Sequence, residues 1–303
     1  MTEIRPATQA DLPAIAELVA RLQADPAHHI GFLGVTVEEV TEEITGLPGW
    51  PEGAAVAIGS SGALRGVLIT DINRELRRGW LYGPFVDVPS GHPAAPQSWD
   101  TNADALYREV RARPALQGID DLDLYGHIAH RQLAEFAVRH GFSTKRETRI
   151  LTLAGADLRS LIAQDIDCVE PLPADDPRIR EEVAVLLERA FPNRTRSTEQ
   201  LLSGEEHTVV ILKQANGSLA GFAAGYTQLD EYLVDYVAVE PEMRCVGVGG
   251  KVVRGLLREL DARNGARRQA AAVVAHENDA SARMFTKLGF GVELELVSYR
   301  RQP

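Results

Sequence analysis

Residues 244–251 read Arg-Cys-Val-Gly-Val-Gly-Gly-Lys, three glycines and two cations immediately ahead of a helical pattern. That combination suits an anion. Glycines let a ligand approach the backbone closely, the first N–H groups of a helix have no intrahelical acceptor, and the helix dipole favours negative charge there. Arg244, Cys245, Val246, Gly247, Val248, Gly249, Gly250 and Lys251 are therefore the candidate ligand contacts, and the predicted ligand carries phosphate. The flanks supply what such a loop needs. Residues 232–239, Tyr-Leu-Val-Asp-Tyr-Val-Ala-Val, are β-branched, aromatic and nearly uncharged, so they predict a buried strand that Pro241 ends. Downstream, Val252, Val253, Leu256, Leu257 and Leu260 share one helical face, and Asn264-Gly265 supplies a left-handed stop.

Two phosphate loops do not fit. A Walker A loop needs Gly where Cys245 stands and Ser or Thr at Val252; a dinucleotide fingerprint needs Gly at Val252 and an acid about twenty residues on, where Arg267, Arg268 and Gln269 stand. A second motif follows at residues 278–290, Asn-Asp-Ala-Ser-Ala-Arg-Met-Phe-Thr-Lys-Leu-Gly-Phe. Asn278 is a natural N-cap, Ala282, Phe285 and Leu288 share a face, and Gly289 stops the helix.

The pair of motifs, in this order, resembles the GNAT N-acetyltransferase superfamily: Arg-x-x-Gly-x-Gly after a Val-Ala-Val strand, then the Asn-x-x-Ala-x-x-Leu-Tyr-x-x-Leu-Gly-Phe signature. Ser281, Met284 and Phe285 stand at its Ala, Leu and Tyr positions. The resemblance implies a mixed sheet in which the 232–239 strand and the 269–275 strand splay apart. The pantetheine arm of acetyl-CoA, the implied co-substrate, would lie in that wedge against Val237, Ala238 and Val239, with its pyrophosphate on the amides of 245–250. Asn278 and Phe285 would flank it. A free amine would attack the thioester directly, and a backbone N–H such as that of Val237 would hold the oxyanion.

Such an attack poses a proton problem. A lysine-like amine is neutral in only about 1 part in 2,500 at pH 7, a cost of roughly 4.6 kcal/mol. Where the family often carries Glu, this sequence has Leu233. Asp235 and Glu231 lie two residues to either side, on the same strand face, and are the candidate bases, Asp235 first. An already neutral amine would need neither. Phe285 replaces the family's usual acid for the leaving thiolate; with a thiol pKa of about 8.5 that loss is worth only about 2 kcal/mol. Tyr236, Tyr232 or water could substitute.

The remainder of the 303 residues predicts two copies of one α/β unit, each a mixed, mostly antiparallel sheet flanked by helices: a degenerate copy at 1–154 and a complete one at 166–303, joined by a docked helix around 154–165. Ile4-Arg5-Pro6 matches Val169-Glu170-Pro171, and Gly141-Phe142 matches Gly289-Phe290. Strands are expected at 54–58, 64–70, 80–88 and a closing 147–153 in the first copy, with an apolar segment at 119–124, and at 208–214, 218–228 and a closing 292–300 in the second. Asn216-Gly217 signals a type I′ turn. The first copy has only Ser-Gly-His-Pro-Ala-Ala-Pro at 90–96 where the second has its glycine loop, and its prolines remove N–H donors.

Composition is 45% hydrophobic and 25% charged, with no apolar run near the ~18 residues of a membrane span. No secretory leader is visible, and Cys168 and Cys245 lack metal or disulfide spacing, so a cytoplasmic protein is expected. Forty-three acids against 32 bases leave a net charge of −11, which disfavours nucleic acid as a partner. His127-x-x-His130 has metal-like spacing but no completing ligand, and no metal is expected. The expected acceptor is a small-molecule amine and the expected state a monomer with pseudo-dimeric packing of its halves, or a weak homodimer. A non-catalytic acyl-CoA sensor or scaffold is the alternative that Leu233 and Phe285 leave open.

Overall fold

The computed structural model describes residues 2–88, 95–166, 168–192, 197–204, 207–228 and 230–302. In chain order the elements are β1 (Glu3–Pro6), α1 (Leu12–Gln23), α2 (Val37–Gly46), β2 (Ala55–Ile58), β3 (Leu64–Asn73), β4 (Arg78–Val86), α3 (Ala95–Arg111), β5 (Asp121–His127) and α4 (Arg131–Arg139). There follow β6 (Ser143–Ala154), α5 (Gly155–Ile162), β7 (Val169–Pro171), α6 (Pro177–Ala190), α7 (Thr198–Leu202), β8 (Thr208–Lys213), β9 (Leu219–Gln228) and β10 (Glu231–Val239). Last come α8 (Val248–Asn264), β11 (Gln269–Ala275), α9 (Asp279–Lys287) and β12 (Gly291–Arg301). No helix among the described residues is long and apolar enough to cross a membrane.

Local chemistry sets the helix boundaries. Thr36 Oγ1 accepts from the Glu39 amide at 3.2 Å while Glu39 Oε2 accepts from the Thr36 amide at 3.1 Å, a reciprocal cap that starts α2. Asp176, Ser197 and Asn278 each accept one amide at the heads of α6, α7 and α9. At the β8–β9 turn the expected type I′ geometry is absent. Only Gly217 is left-handed (φ 82°); its amide donates to Gln214 O, and Asn216 instead turns its side chain to the Ser218 amide. The register slips by one residue beside it, between Leu212 and Lys213, so a longer loop closes the hairpin.

Two compact units emerge, Met1–Glu147 with Glu295–Pro303, and Thr148–Leu294. Strand order in the first is β1-β2-β3-β4-β5-β12, and in the second β7-β8-β9-β10-β11-β6. The closing strands are thus exchanged relative to the sequence expectation. β6 runs antiparallel to β11, from Gln269↔Ala154 to Ala275↔Thr148, and β12 to β5, from Leu296↔His127 to Arg301↔Leu122. Two closing strands of similar length and alternation fit either sheet, so their pattern does not tell which sheet each will join. In the first unit the exchange is fastened by charge: Arg300 Nε donates to Asp123 Oδ1 at 2.8 Å, and Arg78 Nε donates to Asp123 Oδ2 at 2.6 Å. Burial pushes the Asp123 carboxyl up, but the hydrogen bonds from Arg300 and Arg78 outweigh it and hold the pKa below the ordinary carboxylate range.

In the second unit the sheet buries both faces. Val252, Val253, Leu256 and Leu257 of α8 cover Tyr232, Val234 and Val210, while Ile179, Val183, Leu186 and Leu187 of α6 cover Phe222, Ala224, Tyr236 and Ala238. The predicted connector helix is α5, and its Leu158 and Leu161 join Leu151 and Leu153 in the α8 core. It is therefore part of the second unit's interior.

Two outcomes follow from these placements. A fragment of residues 166–303 lacks the β6 partner of β11 and four buried leucines, so it should aggregate on expression. A fragment of residues 148–294 keeps both and should elute as a folded monomer in size-exclusion chromatography; the reverse ranking would contradict the exchanged strands. The second outcome concerns pH. Burial, with smaller contributions from His28, His29 and His127, pushes His130 down to about 3. The unfolded imidazole takes a proton below about pH 6.5 and the folded one does not, so this contribution to stability is complete above that pH and is lost as pH falls towards 3. The loss approaches about 1.4 kcal/mol per pH unit. Urea midpoints measured between pH 7.5 and 4.5 should fall steeply, and less so in His130→Asn, whose side chain can still cap α4.

Candidate functional site

β10 and β11 run parallel from Glu231↔Gln269 to Val234↔Ala272, and pairing stops there although both strands continue. The cause lies on the other edge of β10. Against β9, Val234 pairs with Gly225 and Tyr236 with Ala224, so Asp235 is an extra residue, a β-bulge. Side chains change faces across it: Tyr232 and Val234 lie in the α8 core, Tyr236 and Ala238 in the α6 core. Beyond the bulge, Val237 still pairs with Ala223 and Val239 with Gly221 on the β9 side. The opposite edge of Val237, Ala238 and Val239 looks into the wedge.

Below the wedge lies the glycine loop. Gly247 is the N-cap of α8 at φ 88°, with no side chain capping the helix, unlike the heads of α6, α7 and α9. The first intrahelical bond across this end is Lys251 N–H to Gly247 O at 3.1 Å, leaving the amides of Val248, Gly249 and Gly250 without an i−4 acceptor inside the helix. Cys245 is also left-handed, φ 64°, a conformation that costs a side-chain-bearing residue about 1–3 kcal/mol. Alternating left-handed residues aim successive amides towards one point, an anion-binding concavity. Arg244, Cys245, Val246, Gly247 and Lys251 are exposed, Val248 is buried, and Gly249 and Gly250 are half-buried. A Cβ at Gly249 would lie 2.6 Å from Met284 Sδ, so a side chain here would have to push the Met284 thioether aside. Asn278 accepts from the Ser281 amide at 3.1 Å, and Phe285 is buried edge-on to Phe290 at 5.1 Å. Phe285 offers no proton donor.

The carboxylates separate. Asp235, on the bulge, has its side chain 29% exposed, and its Oδ2 lies 3.0 Å from His207 Nε2. Glu231 is four residues earlier, at the paired end of the strand, where its Oε2 accepts from Gln269 Nε2 at 3.0 Å. Tyr236 is 8% exposed and packs edge-on against Phe191 at 5.0 Å. Tyr232 is fully buried on the α8 face, its hydroxyl within hydrogen-bonding distance of Asp261 Oδ1 (2.7 Å) and Gly265 O (2.8 Å). Burial, together with the Asp261 bond, pushes it up to about 12, and its position ties the end of α8 to the strand instead of serving the wedge. His207 is the residue that sequence reasoning missed. Its link to Asp235 spans 28 residues and depends on the β8–β9–β10 registers, so no local spacing announces it.

The first unit repeats the frame. β4 and β5 pair in parallel from Arg78↔Asp121 to Leu81↔Leu124, and β4 then bulges against β3 around Gly83-Pro84. Its wedge, however, is filled from within. Residues 29–31 form a bridge to β5: Gly31 N–H donates to Tyr125 O at 2.6 Å, and His127 N–H donates to His29 O at 2.9 Å. The other edge of Tyr125–His127 is held by β12, so this segment occupies the edge that β4 has left. Phe32 spans the mouth, 5.0 Å from the Tyr82 ring and 5.4 Å from that of Tyr125. Residues 89–94, which hold most of the proline-bearing 90–96 stretch, lie outside the described residues.

Residues 177–290 match the model of the acetyltransferase (GNAT) family. This segment is a GNAT domain. Whole-chain likeness extends the fold to both units. A GCN5-related N-acetyltransferase from Sphaerobacter thermophilus superposes with TM-score 0.66 at 17% identity, covering 100% of this chain and 96% of that one. A tandem GNAT protein from the clavulanic acid biosynthesis pathway superposes at 0.55 and 14% identity, covering 99% and 98%. No curated protein matches by sequence. The chain accordingly carries the GNAT fold twice in tandem, and the open wedge and the glycine loop lie within the segment that matches the family model.

The anion cradle can be tested without touching the packing. Val246 is 63% exposed on the loop. Val246→Asp should weaken binding of a pyrophosphate-bearing ligand at least tenfold, about 1.4 kcal/mol, by calorimetry. Val246→Ala should bind as the parent does, and both should keep the parent's thermal midpoint. Equal affinity in Val246→Asp would show that the loop is not the anion site.

Proposed function

We propose that the chain is an acetyl-CoA-dependent N-acetyltransferase that moves an acetyl group to the amine of a small molecule, using the second unit. What supports this reading is one continuous stretch of chain, residues 235–250. An opened strand edge at Val237–Val239 runs to an uncapped, glycine-lined helix head, and a half-exposed carboxylate stands at the other end. Acetyl-CoA is the co-substrate that fits: its extended amide-bearing arm suits a strand edge, and its pyrophosphate suits the α8 amides. It supplies an activated acyl carbon. The protein supplies placement, a backbone donor such as the Val237 N–H for the developing oxyanion, and Asp235 to take the ammonium proton.

The mouth of the wedge narrows the acceptor. Asp235 and Val273 are the first residues past the last parallel pair, and Val273 is 51% exposed. A carboxylate and an exposed aliphatic side chain at the point where the two strands part suit an ammonium group on an apolar body better than a polyhydroxylated amine. Glu231, already engaged by Gln269, serves as a second carboxylate further along the same strand. Phe285 leaves the thiolate to take its proton elsewhere, a modest loss at neutral pH. A binding protein without turnover would need the cradle but not a carboxylate held by a buried histidine, so the transferase reading is preferred.

Thiol release from acetyl-CoA, screened against alkylamines, arylalkylamines, amino acids and aminoglycosides, should give turnover with the apolar amines. Asp235→Asn should lower kcat/KM by about 10²–10⁴, the usual span of a general base, with acetyl-CoA affinity unchanged. Turnover that survives Asp235→Asn would remove Asp235 from the chemistry. Calorimetry should count one acetyl-CoA per chain, because the first unit's wedge is closed by residues 29–32; two sites per chain would contradict that closure.

A further inference from the structure

We propose that His207 is a positioning residue for amine deprotonation, donating its Nε2–H to Asp235 and fixing that carboxylate as the base at the wedge mouth; this rests on the acetyl-transfer reading above. His207 immediately precedes β8 and is 1% exposed. Its Nε2 is 3.0 Å from Asp235 Oδ2, and its Nδ1 is buried without a hydrogen-bond partner among the described residues. Around the ring stand Tyr226 of β9 at 4.9 Å, edge-on, and Tyr236 of β10 at 6.3 Å. Val209, Ala224 and Tyr236 make that side of the sheet an apolar core. An apolar ring would pack there without stranding a polar atom. Among the described residues, the imidazole's one satisfied polar contact is Asp235.

The geometry selects the tautomer. A buried N–H without an acceptor is rarer in folded proteins than a buried acceptor without a donor. The proton therefore sits on Nε2, where Asp235 accepts it, and Nδ1 keeps a bare lone pair. His207 has no path of its own to the acceptor, being enclosed, so it acts through the carboxylate. Asp235 needs such a hold. It is the extra residue of a β-bulge, unpaired with β9, and a carboxylate there would otherwise sample several rotamers. With Oδ2 tied to His207, Oδ1 has no partner among the described residues and is the oxygen left to receive a proton.

The step balances without another reactant. The ammonium gives one proton to Asp235 Oδ1, and the freed nitrogen pair forms the bond to the acetyl carbon. The carbon–sulfur bond breaks, the nitrogen's second proton goes to the leaving sulfur, and Asp235 returns its proton to water. Removing the His207 donor frees the bulge carboxylate to leave the rotamer that presents Oδ1 to the ammonium.

The test is kcat and KM measured separately for the full-length chain with a reactive amine from the thiol-release screen, comparing wild type with His207→Phe and His207→Gln. His207→Phe should lower kcat at least tenfold, with the acetyl-CoA dissociation constant unchanged. His207→Gln, which keeps an amide N–H near the Nε2 position, should recover most of the rate. Nitrogen-15 spectra of wild type should show the Nε2–H tautomer at His207, a readout that survives if either variant fails to fold. Wild-type kcat in His207→Phe, or an Nδ1–H tautomer, would overturn the proposal alone. A wild-type chain inert towards every amine would overturn the acetyl-transfer reading and this proposal with it.

Discussion

One extra residue in β10 governs the second unit. Asp235 breaks the register with β9, turns the strand, and ends the parallel pairing with β11 after Val234↔Ala272. A sheet that continued to pair would have no cleft, since each backbone group would be satisfied by a neighbouring strand. The bulge releases a stretch of β10 edge and moves Tyr236 and Ala238 to the α6 face, where they complete a core. It also projects a carboxylate at the point where the strands part. Cleft, core and candidate base are consequences of the same inserted residue.

The two units show how one frame can open or close. Both end their parallel pairing after four residue pairs, and both bulge on the strand that leaves. In the first unit Tyr82 and Tyr125 stand just past the last pair and hold Phe32 between them, while residues 29–31 pair with β5 as a ligand backbone would. Pro84, inside that bulge, has no N–H to give. The positions equivalent to the two tyrosines in the second unit are Asp235 and Val273, a carboxylate and an exposed aliphatic side chain. Aromatic surface at the mouth draws the chain's own segment in; charge and a smaller side chain leave room for another molecule.

Much of this was legible in the sequence because it is local. Gly247, Gly249 and the strand before them predict the uncapped head of α8, and Asn278 caps α9 as its position implies. The boundaries of α6, α7 and β11 follow from hydrophobic period and caps alone. What the sequence hides is long-range. The exchange of β6 and β12 depends on which of two similar sheets each strand reaches, and the compact units consequently cut the chain at 147 and 295 instead of within the connector. His207 becomes meaningful only once three registers bring it to Asp235. Tyr232 illustrates the converse: it sits on the right strand, but the bulge leaves it facing α8, bonded to Asp261.

The central claim is that the β10 edge opened by the Asp235 bulge, and the loop below it, receive acetyl-CoA while the equivalent edge of the first unit does not. Amide hydrogen exchange with and without saturating acetyl-CoA addresses it directly. The account predicts slowed exchange at 236–239 and 245–250, with β4, β5 and residues 29–32 unchanged. Slowed exchange in the first unit, or none along β10, would contradict it.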